Sequence, residues 1–161
     1  MNFADIEKEY LRRKTVPDFD WTVFEAPTDP VPLAKPLERC RVALVVTAGA
    51  YLPETQEPFQ VRNPLGDDSY RVVPGGTAAE AIALSHPGYD TRRARQDPDC
   101  VFPLDLLRRF SFEGAIGSVA PRHFSFMGYI PRTENLLWRT APQVGRMLLE
   151  DEVDLALLVP S

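Results

Sequence analysis

Arg41-Val42-Ala43-Leu44-Val45-Val46-Thr47, followed by Ala48-Gly49-Ala50, decides the fold. The run is continuously apolar and β-branched rather than alternating, the pattern of a strand covered on both faces, as in a parallel sheet flanked by helices. The small residues at its exit let a ligand or a second backbone approach closely, although a structural turn explains Gly49 equally well. A second buried strand is expected in Val153-Asp154-Leu155-Ala156-Leu157-Leu158-Val159, just before Pro160-Ser161. Between the two, Ser69-Tyr70-Arg71-Val72-Val73-Pro74 alternates like a half-buried edge strand ended by proline, and Ile82-Ala83-Leu84 and Ile116 to Ala120 predict shorter strands.

Three helices fit around these strands. Asp5 to Lys14 carries Ile6, Tyr10 and Leu11 among charges, a narrow apolar stripe that needs a partner surface. Phe102 to Phe110 places Pro103 in a first turn and has Gly114 as its stop. The third starts at Ala141 with Thr140 as cap and Pro142 in its first turn; it turns Val144, Met147 and Leu148 inward and Arg146 and Glu150 to solvent. The expected fold is therefore α/β: an open, mostly parallel sheet of about four to five strands with flanking helices and long Pro-rich loops. A buried strand so close to Ser161 lacks its crossover helix, so the domain is expected to be incomplete as it stands. Residues 1–40 form an N-terminal helix and an extended Pro/aromatic arm, with Phe19, Trp21 and Phe24 making its contacts, and residues 41–161 form the α/β domain. The sixteen prolines cluster at Pro17 to Pro36, Pro53 to Pro74 and Pro87 to Pro103, marking ordered loops rather than a linker.

Composition removes several function classes. With 18 Lys and Arg against 23 Asp and Glu the net charge is −5, which offers no broad basic surface and argues against nucleic acid. No apolar run approaches the roughly 20 residues that span a bilayer, and the N-terminus lacks the order of a signal peptide, so no membrane contact is expected and a cytoplasmic location is. Two cysteines are too few for a disulfide scaffold, and with two histidines at wide spacings they match no zinc signature. Cys40 precedes a buried strand and Cys100 sits beside Asp97 and Asp99, which raise a thiol's pKa; both read as inert. Gly75-Gly76-Thr77 lacks the spacing and lysine of a phosphate loop and reads as a turn.

The densest chemistry follows two strand ends. Ser85-His86-Pro87-Gly88-Tyr89-Asp90-Thr91-Arg92-Arg93-Ala94-Arg95 places an imidazole at a strand tip, because Pro87 disfavours helix at His86 and Gly88 is permissive. Pro121-Arg122-His123-Phe124-Ser125-Phe126-Met127-Gly128-Tyr129 reads as a second polar and aromatic loop, so both histidines lie beyond a predicted strand. A solvated, salt-bridged turn explains the first loop as well as a site does. Arg95, Arg108 and Arg109 are expected to solvate helix faces.

These two stretches, with Asp97-Pro98-Asp99-Cys100-Val101-Phe102-Pro103, resemble the selenoprotein B family of glycine, sarcosine, betaine and D-proline reductases, from about Arg41 to Ser161. In that family the strand matching Leu155 to Val159 leads to a redox motif with selenocysteine, or cysteine in its place, which is absent here. The resemblance therefore implies that Ser161 precedes an in-frame UGA and that the chain is the N-terminal part of a reductase subunit. It implies reductive cleavage of a C–N bond by a selenol or thiol, a pyruvoyl group on a partner subunit, thiol or selenol carrier proteins as further partners, and an oligomer. No cofactor is expected in this chain; selenocysteine is expected downstream. His86 and His123 are then supporting catalytic groups, and Tyr89, Arg92, Arg93 and Arg122 bind substrate, since a selenolate and a carboxylate both gain from nearby cations. Two rivals remain: a complete, non-catalytic α/β binding or interaction module, and a hydrolase or lyase using His86 and Asp90, for which no nucleophile elbow is visible.

Overall fold

The central run becomes β1 (Arg41–Val46), and every parallel pairing of the main sheet passes through it. The computed structural model describes residues 2–26, 28–29 and 31–161; Met1 and two prolines assigned to the arm, Pro27 and Pro30, lie outside the described residues. On one side β1 pairs with β7 (Leu155–Val159), in register from Val42 against Leu155 to Val46 against Val159. That pairing fills the whole of one edge, so the other takes both β5 (Ser118–Val119), opposite Arg41 and Val42, and β6 (Arg122–Phe126), opposite Val45 and Val46. β5 and β6 are one line of chain interrupted at Ala120-Pro121, where proline has no N–H to give a ladder.

β3 (Tyr70–Pro74) runs antiparallel to β6 on its outer side, the edge position its alternation and terminal proline predict. β2 (Ala50–Tyr51) and β4 (Ala83–Leu84) form a separate two-stranded antiparallel ladder, so the expected strand at Ile82 to Leu84 exists but lies outside the main sheet.

One correction concerns the second expected loop. Arg122 to Phe126 is a buried strand, with His123 and Ser125 inside the protein. Burial of polar groups there is compensated by backbone donors: Ser125 Oγ accepts the N–H of Ala50 at 2.8 Å, and His123 Nδ1 accepts the N–H of Leu44 at 2.9 Å. The imidazole thus replaces a carbonyl that the interrupted ladder cannot offer.

Helices cover both faces. On one, Val42, Leu44 and Val46 meet Phe102 and the buried face of α3 (Leu104–Phe112), Leu104 and Leu107. On the other, Phe124 and Phe126 meet Val144, Met147 and Leu148 of α4 (Ala141–Glu150). Full burial of a large side chain such as Leu44, Phe102 or Phe124 stabilises the fold by about 1.5–3 kcal/mol. Pro103 precedes the first turn of α3 instead of entering it, and Gly114 ends the helix at φ +76°, where the Ala115 N–H reaches back to the Phe110 carbonyl. Thr140 is not a cap: a π-helical turn, Leu136–Thr140, runs directly into α4 and leaves the Thr140 hydroxyl buried without a partner among the described residues.

α1 (Phe3–Lys14) begins with a reciprocal Asn2–Asp5 capping box and buries Leu11 against Val16, Phe19 and Tyr129. The arm then crosses its own domain: Phe19 meets Trp21 edge-on at 5.1 Å, Trp21 Nε1 donates to the Ala4 carbonyl, and Arg132 pairs with Asp18 at 3.1 Å. Phe24 is exposed, so the ring contacts stop at Trp21. At the opposite margin β7 pairs only with β1 among the described residues, and its Leu157 and Leu158 are 43% and 69% exposed.

Candidate functional site

Because β1, β6 and β7 are parallel, their carboxyl ends gather at one rim, and there the chain leaves each strand through small or polar residues. Thr47-Ala48-Gly49 follows β1 and Met127-Gly128-Tyr129 follows β6. Beyond β7, Ser161 N–H donates to Thr47 Oγ1 at 2.9 Å. In open α/β sheets ligands lie outside this end of the strands.

The His86 loop is clamped onto the same rim. Ser85 N–H donates to the Gly49 carbonyl, Ser85 Oγ donates to the Phe59 carbonyl at 3.0 Å, and Tyr89 Oη donates to the Ala48 carbonyl at 3.0 Å. Gly49, at φ +66°, is obligatory for the approach: a Cβ there would stand 2.1 Å from the Ser85 carbonyl oxygen. The His86 ring lies 4.5 Å from that of Tyr89, centroid to centroid, and its Nδ1 accepts the Gly88 N–H at 2.9 Å. A neutral imidazole whose Nδ1 accepts must carry its proton on Nε2. Burial lowers the His86 pKa, which favours that neutral form.

His86 Nε2 faces Gly128, where an added Cβ would stand 3.3 Å away. Gly128 lines a cavity of about 520 Å³ between this rim and α1. His86, Pro87, Gly88, Gly128, Tyr129 and Ser161 line it on the strand side, and Glu7, Tyr10, Leu11 and Thr15 on the helix side. The α1 residues were not expected in a site, since Tyr10 reads as packing stripe and Glu7 as solvated charge; Gly128 after the Phe124 to Met127 run was the available signal.

The remaining expected site residues are scattered. Tyr89 adjoins His86 but spends its hydroxyl on the Ala48 carbonyl, and burial raises its pKa. Arg92 is exposed and forks onto Asp90, holding that carboxyl below its usual range, and Arg93 lies on the same outer surface at the start of α2 (Arg92–Gln96). Arg122 sits at the amino end of β6, away from the rim, and pairs with Asp151 at 2.7 Å and Glu150 at 3.1 Å. His123 is sealed between strands and helix, 6.3 Å edge-on from Phe102; burial pushes its pKa down to about 4, and its Nε2 has no hydrogen-bond partner among the described residues. The structure therefore brings His86 and Tyr89 together at the rim, and not His123, Arg92, Arg93 or Arg122. Arg108, expected to solvate a helix face, instead holds the Gly75 to Thr77 turn by donating to the carbonyls of Gly75 and Thr77.

Neither thiol reaches the cavity lining. Cys40 is buried before β1, donating toward the Lys35 and Pro36 carbonyls, and Cys100 is exposed. Among the described residues no three His, Cys, Asp or Glu side chains converge where a metal ion would sit, and no helix is long and apolar enough to cross a membrane.

Comparison with known proteins adds the lineage. The profile of the glycine/sarcosine/betaine reductase selenoprotein B family matches residues 8–161. The D-proline reductase subunit gamma of Acetoanaerobium sticklandii is 36% identical over 127 residues, 79% of this chain and 51% of that protein. The glycine reductase complex component B subunit gamma of Carboxydothermus hydrogenoformans is 29% identical over 102 residues, covering 62% and 23%. The betaine reductase complex component B subunit beta of Peptoclostridium acidaminophilum is 27% identical over 152 residues, covering 91% and 32%. The chain thus spans about half the length of the first relative and a quarter to a third of the others. No solved structure matches it.

Proposed function

From a chain that belongs to the glycine/sarcosine/betaine reductase selenoprotein B family, we propose a cytoplasmic subunit of an amino-acid or betaine reductase complex, one that builds part of a site for reductive C–N cleavage. Relatives named as subunits of D-proline, glycine and betaine reductases support that assignment, and the family match over residues 8–161 is the observation that carries it. The substrate is glycine, sarcosine, betaine or D-proline.

Two electrons are needed to break the bond between nitrogen and the α-carbon. In this reading a selenocysteine or cysteine outside these residues would supply them, with a thiol or selenol carrier protein, and a pyruvoyl group on a partner subunit would activate the amine. The chain's own residues fit such a shared site: the rim is open, its cavity of about 520 Å³ exceeds one small amino acid, and no thiol of this chain competes there. His86 orients, since its Nδ1 is occupied by the Gly88 N–H and its Nε2–H is a fixed donor. Tyr89, through the Ala48 carbonyl, keeps the loop on the rim.

The test is reconstitution. This chain, a pyruvoyl-bearing subunit and a polypeptide carrying the redox residue are combined with a dithiol reductant, and amine release is followed for each of the four substrates. Release from at least one, lost when this chain is omitted, supports the assignment; release that is indifferent to the chain removes it.

A further inference from the structure

We propose that the cavity between α1 and the strand tips is a binding site for a small zwitterion: its carboxylate accepts from His86 Nε2–H, and its cationic nitrogen lies on the α1 side against Glu7, between the rings of Tyr10 and Tyr129. The inference rests on the reductase reading for its substrate class, and assigns the two ends of that substrate to residues.

Three observations converge. The donor is fixed in direction, because the Gly88 N–H occupies His86 Nδ1 at 2.9 Å and so puts the ring proton on Nε2, which faces the space left by Gly128. A neutral N–H donor beside backbone suits one anionic oxygen and adds no competing positive charge. Across the cavity, α1 supplies the opposite sign. Its neighbouring ion pairs join Lys8 to Asp20 and Arg13 to Glu9, which leaves Glu7, among the described residues, with no cation of its own. Tyr10 and Tyr129 also line the space, and aromatic faces attract ammonium groups, quaternary ones included. A carboxylate and the Tyr10 ring on the helix wall, facing the His86 N–H donor and the Tyr129 ring on the strand wall, match a small molecule bearing both a cation and an anion, and the volume leaves room for a reacting group brought by another polypeptide.

The experiment titrates the 161-residue chain with D-proline, sarcosine and betaine, and with pyrrolidine and propionate, which keep only one charged end each, reading calorimetry and the His86 imidazole NMR signals. At least one zwitterion is expected to bind and to shift those signals, with pyrrolidine and propionate weaker by about tenfold or more. Glu7→Gln is expected to weaken the zwitterion and pyrrolidine but not propionate, at unchanged circular dichroism. The reconstituted complex gives a second readout, in which Glu7→Gln raises KM and spares kcat. Turnover with an unchanged KM in Glu7→Gln and in Tyr10→Ala overturns the cavity assignment and leaves the reductase reading standing. Failure of all the zwitterions to bind more tightly than the single-ended probes overturns it as well. Selective zwitterion binding in a chain that supports no amine release keeps the site and removes the reductase reading instead.

Discussion

The Nδ1 atom of His123 accepts the backbone N–H of Leu44 at 2.9 Å, so a side chain takes over one link of the ladder between β6 and β1. Both residues are completely buried, and no water-exposed route exists for that N–H to find a substitute. Removing the ring with His123→Ala leaves an unpaired buried donor and a void, and about 3 kcal/mol of stability should be lost in urea denaturation of the chain. His123→Asn, which keeps an acceptor near Cβ, should recover part of it.

Burial of the same ring sets a pH response. The folded pKa of about 4 lies below the ordinary imidazole value of 6.5, so the unfolded chain binds the proton more readily. Stability attributable to this group is therefore complete above about pH 6.5 and is lost progressively as pH falls towards 4. At about 1.4 kcal/mol per pH unit the total reaches roughly 3 kcal/mol. Denaturation midpoints between pH 7 and 4.5 check this, and His123→Asn should flatten the profile. Arg108, packed nearby, disfavours the protonated ring, whereas Asp151 favours it weakly.

Gly128→Ala should act at the rim. At φ +90° any side chain is strained, and the new Cβ would stand 2.9 Å from the Thr47 carbonyl oxygen and 3.3 Å from His86 Nε2. A cost of about 1–2 kcal/mol in stability is expected, together with weaker binding of zwitterions to the proposed cavity. Wild-type KM in a correctly folded variant would detach the cavity from the reaction.

Arg122→Ala should behave as a structural lesion. The guanidinium joins the start of β6 to the end of α4 through a mostly buried Asp151 carboxylate, and its removal should cost about 1–3 kcal/mol. Because the pair lies at the amino end of β6, KM should not change; a rise in KM without loss of stability would return Arg122 to the substrate.

Leu158→Lys probes the open margin. An apolar, unpaired strand edge invites another chain, and a lysine there opposes it. Light scattering of the concentrated chain should fall with the substitution, and melting temperature should change little.

The sequence disclosed most of the scaffold and only one corner of the site. β1, β7 and β3 were legible because burial on two faces, or on one, writes itself as continuous or alternating apolar residues. β6 was not, because Arg-His-Phe-Ser-Phe carries polar atoms whose partners, the Leu44 and Ala50 amides, are 79 and 75 residues away. The place of His86 just beyond a strand end was legible through the local signal of Pro87 and Gly88. The opposing wall was hidden for a different reason: Glu7 and Tyr10 belong to a helix whose apolar stripe announces packing on a partner surface but not which surface, and Leu11 docks it against Phe19 and Tyr129. Arg122 was misleading in kind, since the acidic partners that occupy it are about thirty residues downstream.

The unequal setting of the two sulfur atoms has a practical corollary. Cys40 is capped by carbonyl groups and shut away from reagents, whereas Cys100 stands open at the surface, off the cavity. A single maleimide dye or spin label will therefore attach at one known place, and distances from it can chart how other polypeptides assemble around the rim.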